Sequence, residues 1–128
     1  MRTSKAGFTL IELLIVVVII GILATIAIPK FAATKDKAKL ASVKTDVRNL
    51  MTAQEAYFSD YATYGTFAQL QTASNFSLSS GNTAATAAAA SGFTATITNS
   101  TITSTIDQCT VQVGAGAAST LDGVIVCS

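Results

Sequence analysis

Histidine is absent from this 128-residue chain, and cysteine occurs only twice, at Cys109 and Cys127. Without a Cys/His cluster there is no ligand set for zinc, and without histidine the commonest general base is missing. Neither a G-x-S-x-G nucleophile elbow nor a G-x-x-x-x-G-K-S/T phosphate loop occurs. Charge is scarce as well. Only 12% of residues are charged, against roughly a quarter in an ordinary soluble domain, and the formal net charge is +1. These shortages predict a chain that is not an enzyme and holds no metal and no cofactor.

What is abundant is apolar surface: half of the residues are hydrophobic, and they are unevenly spread. A short basic leader, residues 1–7, carries Arg2 and Lys5. From Phe8 to Ile28 the chain is almost continuously apolar, interrupted by Thr9, Glu12, Gly21 and Thr25. As a helix this run is about 31 Å long, enough to cross a hydrocarbon core. It is hydrophobic on every face except at Glu12, so segment 8–29 needs apolar surroundings all round.

Segment 30–60 continues at helical spacing but is amphipathic. Leu40, Val43, Val47, Leu50, Met51, Tyr57 and Phe58 form one apolar stripe, while Lys35, Lys37, Lys44, Asp46, Arg48 and Glu55 fall largely elsewhere. One helix of about fifty residues is expected, ending between Tyr61 and Gly65. Residues 61–128 form the head. The Ala/Thr/Ser-rich segment 79–91 lacks large apolar side chains and reads as a loop. Phe93–Thr98, Thr101–Ile106, Cys109–Val113 and Val124–Cys127 are rich in β-branched residues and bounded by turn formers, which predicts three or four antiparallel strands. The fold class is α+β: a long helix whose second half packs on a small sheet.

The run Gly7-Phe8-Thr9-Leu10-Ile11-Glu12-Leu13-Leu14, with the match continuing through Gly21 and Pro29 to about Phe31, resembles the processing and methylation site of type IV pilins. The resemblance extends more loosely to Gly65, about half the chain, and the short leader and Phe8 are similar to the type IVa branch. It implies cleavage between Gly7 and Phe8 by a membrane-embedded prepilin peptidase, N-methylation of Phe8, and a role for Glu12 in assembly. It also implies the partners: further copies of the chain in a helical filament, the peptidase and methyltransferase, the inner-membrane assembly machinery, and the membrane itself before assembly. The precursor is then expected in the inner membrane and the filament outside the cell, serving adhesion, motility or DNA uptake. Two other readings stay open. One is a pseudopilin of a type II secretion system; major pseudopilins typically carry acidic calcium-binding loops and lack a C-terminal disulfide. The other is a monomeric, membrane-anchored binding domain.

Several residues carry two readings at once. Thr9-Leu10-Ile11-Glu12 fits a capping box, so Glu12 could simply satisfy backbone donors; a lone carboxylate in hydrocarbon also marks a site with a partner, and a neighbour's Phe8 amine would supply one. Gly21 and Pro29 weaken the apolar helix and are the expected break, which the family uses for extensibility. As the only cysteines of an exported chain, Cys109 and Cys127 are expected to form a disulfide. Lys30, Lys35, Lys37 and Lys39 on the exported side outnumber Arg2 and Lys5, so the orientation follows the motif rather than the positive-inside count. Removing the leader brings the net charge to −1, and no specific nucleic acid is indicated. Asn75-Phe76-Ser77 and Asn99-Ser100-Thr101 are formal glycosylation sequons.

Overall fold

The computed structural model describes residues 7–115 and 121–128. The leader positions 1–6, with Arg2 and Lys5, lie outside the described residues. The chain forms two compact units, Met1–Lys35 and Asp36–Ser128. Helix α1, Leu10–Tyr61, contributes to both.

In the second unit α1 buries Val43, Val47, Leu50, Ala53 and Tyr57, with Leu40 and Met51 packed beside them, much as the spacing predicted. Phe58 stays at the margin, its ring 4.8 Å from that of Tyr64. Opposite lies a four-stranded antiparallel sheet in the order β1-β2-β3-β4, comprising Thr83–Ala89, Gly92–Thr98, Gln108–Gly114 and Ile125–Cys127. Its inner face takes alternate residues: Phe93, Ala95 and Ile97 from β2, and Cys109 and Val111 from β3. Thr94, Thr96, Thr110 and Gln112 turn the other way, and the Thr96 and Thr110 hydroxyls meet across the strands at 2.9 Å. This alternation is the sequence pattern carried into space.

Two expectations for the head are corrected. Segment 79–91 is not all loop, because Thr83–Ala89 is strand β1, paired with β2 from Thr83 opposite Thr98 to Ala89 opposite Gly92. Backbone pairing holds this strand, since its small side chains bury little by themselves. Thr101–Ile106, conversely, is not a strand. Its polar groups bond to helix and loop side chains instead: Thr103 and Ser104 donate to Asp36, and Thr101 donates to Asn99. Ile102 alone drops into the core. A second helix, α2 (Phe67–Ala73), follows α1. The Thr66 amide donates to Gln69 Oε1 at 2.8 Å, the reach-back bond of a capping box, and the Thr86 hydroxyl of β1 accepts the Phe67 amide at 2.9 Å.

Candidate functional site

The segment Gly7–Phe31 carries the expected processing and assembly residues. Gly7, Phe8 and Thr9 precede the helix and are not helical, so the Gly7–Phe8 bond lies in open chain. A Cβ built on Gly7 meets nothing within 4 Å, and the Phe8 ring is 89% exposed. At Leu10 the helix begins, and Thr9 and Glu12 close the box predicted for them. Glu12 Oε2 accepts from the Thr9 amide at 2.8 Å and from the Thr9 hydroxyl at 2.7 Å, and the Glu12 amide donates to Thr9 Oγ1 at 3.3 Å. Oε1 has no bond among the described residues, so the cap uses one carboxylate oxygen.

Beyond Glu12 the helix surface is apolar throughout. From Leu13 to Phe31 every large apolar side chain is at least half exposed. The run Ile15-Val16-Val17-Val18-Ile19-Ile20 consists of β-branched residues, which favour strands and are mediocre helix formers in water. Hydrocarbon reverses that preference, because there every backbone polar group must be satisfied within the segment. A helix bare on all sides, built from residues that gain most from an apolar medium, is suited to a membrane and to a bundle of like helices.

The helix does not break at Gly21 or Pro29: α1 runs unbroken through both. Pro29 lacks the N–H that would bond the Thr25 carbonyl, so one intrahelical bond is missing there. The Thr25 hydroxyl donates to the Gly21 carbonyl at 2.9 Å, and the Thr34 hydroxyl to the Lys30 carbonyl at 2.9 Å. In the single chain the two residues mark a weak point without an interruption.

In the head, Cys109 and Cys127 are bonded and directly opposite in the β3–β4 register. The helix also holds three buried polar residues that the apolar stripe did not reveal. Asp36 accepts from the Thr103 amide and hydroxyl and from the Ser104 amide, with Lys39 at 3.8 Å. The Thr103 hydroxyl foremost, helped by the two amides and the Lys39 ammonium, holds the Asp36 carboxyl below the usual carboxylate range. Asp46, only 2% exposed, accepts from the Ser79 amide and hydroxyl and from Asn82 Nδ2, all within 2.9 Å. It therefore belongs to the buried face, contrary to the sequence reading. Gln54 is fully buried and brackets Gly65, donating to its carbonyl at 2.7 Å and accepting from its amide at 2.9 Å. The spacing 36, 43, 46, 47, 50, 54, 57 was the available signal: polar residues at apolar-stripe positions are buried ones with partners. Asn99 is buried as well, donating to Asn82 Oδ1 at 2.7 Å, which removes it as a sugar acceptor in the folded head.

A family model described as the prokaryotic N-terminal methylation motif matches residues 2–28. The chain is 49% identical over 73 residues to the type IV major pilin protein PilA of Myxococcus xanthus, covering 53% of this chain and 33% of that protein. It is 41% identical over 68 residues to the type II secretion system core protein G of Klebsiella michiganensis, covering 53% and 48%. With the type IV major fimbrial protein FimA of Dichelobacter nodosus it shares 43% identity over 60 residues, covering 47% and 38%. The chain spans between a third and a half of the length of these curated relatives, so the likeness describes one part of each.

Proposed function

We propose, from the premise that this chain is type IV pilin-like in its N-terminal motif and its α+β fold, that it is the structural subunit of an extracellular type IV pilus. After cleavage between Gly7 and Phe8 and methylation of Phe8, the subunit waits in the inner membrane and then polymerises through the first part of α1. It performs no catalysis of its own. The observation that carries this reading is the apolar surface from Phe8 to Phe31, exposed on all sides, in a chain whose second unit already has a closed core. Bare apolar area of that extent is stable only in lipid or against other apolar helices. A subunit that moves from membrane to filament uses both.

Relatives of both kinds, pilins and a secretion-system core protein, each match about half of the chain, so features of the head weigh between them. Two features favour the pilus. The C-terminal strands are joined by the Cys109–Cys127 disulfide. Only Asp107 and Asp122 are acidic in the last sixty residues, too sparse for an acidic calcium loop. The test is to shear filaments from cells and weigh their subunit. Mass spectrometry should give a chain beginning at methylated Phe8. Surface filaments lacking this chain, or a mature chain starting elsewhere, would reject the proposal.

A further inference from the structure

Where the apolar span ends, one face of α1 carries Ala27, Ile28, Phe31, Ala32 and Lys35, which line an open groove of about 550 Å³. Its walls are unusually bare. Ile28 is 69% and Phe31 68% exposed, and both belong to the unit that has no buried core among its described residues. The Lys35 ammonium lies 6.0 Å from the centre of the Phe31 ring, which aims the charge back toward the apolar face. Lys30 stands on another side of the helix, about 140° away at 100° per residue. The sequence from Leu13 to Lys35 contains no acid, and the next one, Asp36, is taken up by Thr103, Ser104 and Lys39.

A cation at the rim of a hydrophobic groove, about two turns past the end of a membrane-length helix, calls for a ligand with two matching parts. One part must be an apolar chain that fits beside Ala27 and Ala32, where small residues leave room between Ile28 and Phe31. The other must be an anion at the level where hydrocarbon gives way to water. A phospholipid has both in that order, and lysine stems lie along apolar surface with their heads at this interface. We propose that Lys35, held over the Phe31 ring, binds the phosphate of an anionic phospholipid whose acyl chain occupies the Ala27–Ala32 groove. The site retains the unassembled subunit in the exported leaflet and neutralises one of the lysines that weigh against its orientation. It shares with the proposed function only the membrane-held chain.

The experiment titrates the full-length chain in detergent micelles with phosphatidylglycerol, or with phosphatidylcholine of the same acyl chains, and counts bound lipid by native mass spectrometry. One basic residue at a membrane surface contributes about 1 kcal/mol, which is about a fivefold preference for the anionic lipid. Lys35→Gln should abolish that preference, Lys35→Arg should keep it, and Lys44→Gln, about two and a half turns further on, should leave it intact. Equal affinity for the two lipids, or a preference that survives Lys35→Gln, overturns the inference. So does a dimer that excludes lipid from the groove, which would make a second copy the occupant. Filaments made by a chain without lipid preference would overturn this inference alone and leave the pilus reading standing.

Discussion

Removing the Cys109–Cys127 bond is a perturbation whose size follows from the chain's own geometry. The cysteines are 18 positions apart. Closing a loop of that size in the unfolded chain is worth about 3 kcal/mol in the chain-entropy model. The second unit, about 90 residues with its part of α1, has a total stability of roughly 5–14 kcal/mol, so the loss leaves it folded but less securely. The choice of variant matters, because Cys109 is fully buried. Cys109→Ser would add an unpaired hydroxyl to the missing crosslink, whereas the double change Cys109→Ala with Cys127→Ala removes the crosslink and little else. At 4–8 °C per kcal/mol for a domain of this size, the double variant should melt roughly 12–24 °C lower. The population of open molecules should rise about a hundredfold, and native-state proteolysis with it. Only three residue pairs join β3 to β4, so Ile125–Cys127 should lose amide protection first. The assay is thermal unfolding of the full chain in detergent, oxidised, reduced and doubly substituted. Melting within about 2 °C for all three would refute the argument and mean that β4 and its neighbours hold the sheet edge unaided.

Other outcomes test the N-terminal segment and the helix ties. Glu12→Gln preserves the cap, since an amide oxygen can accept the same two bonds from Thr9, but removes the charge offered to a second partner. Normal amounts of processed, membrane-held chain with at least a tenfold lower filament yield per subunit are expected; wild-type yield on shearing and immunoblotting would reduce Glu12 to a cap. Gly7→Val should leave the precursor uncut, as the chain mass would reveal, and because no described residue lies within 4 Å of a Cβ built on Gly7 the defect would belong to peptidase recognition. Asp36 has its pKa depressed on folding, chiefly by the Thr103 hydroxyl, so its stabilisation is complete above the unfolded-state value and is lost as pH falls through the lower folded-state value. Unfolding midpoints measured below about pH 4 should therefore fall more steeply for wild type than for Asp36→Asn, and parallel curves would remove Asp36 from the pH response.

The sequence was most legible where one periodicity ran long. The span of α1, its apolar first part and the stripe through Val43, Val47 and Leu50 all follow from spacing, because burial on one face leaves a repeat that composition cannot hide. Strands β2, β3 and β4 were legible through alternating β-branched residues. β1 was not, because a strand of Ala and Thr is held by backbone pairing and by its place beside β2, neither of which leaves an apolar signature. Thr101–Ile106 misled for the converse reason: its β-branched residues are fixed by bonds to Asp36 and Asn99, partners remote in sequence or hidden in a turn. α2 carried a readable Thr66-x-x-Gln69 signal, too short to stand out over seven residues. At the N-terminus, the Glu12 cap was legible in Thr9-x-x-Glu12, beside an expected role as an assembly partner. The structure forms the cap and leaves an oxygen over, while the second role depends on another molecule.

Asp36, Asp46 and Gln54 also decide how the head would carry load. Each is an acceptor or clamp on α1 whose partners lie on a different connection, at 103–104, 79–82 and 65. They are spread over 18 residues, about 27 Å of helix. A pull along the axis of α1 strains all three attachments together. A force that lifts one end of the helix away from the sheet meets them one at a time, like a seam opened stitch by stitch. Attachments placed this way resist traction along the helix better than peeling, a mechanical anisotropy to which these three side chains contribute beside the apolar core.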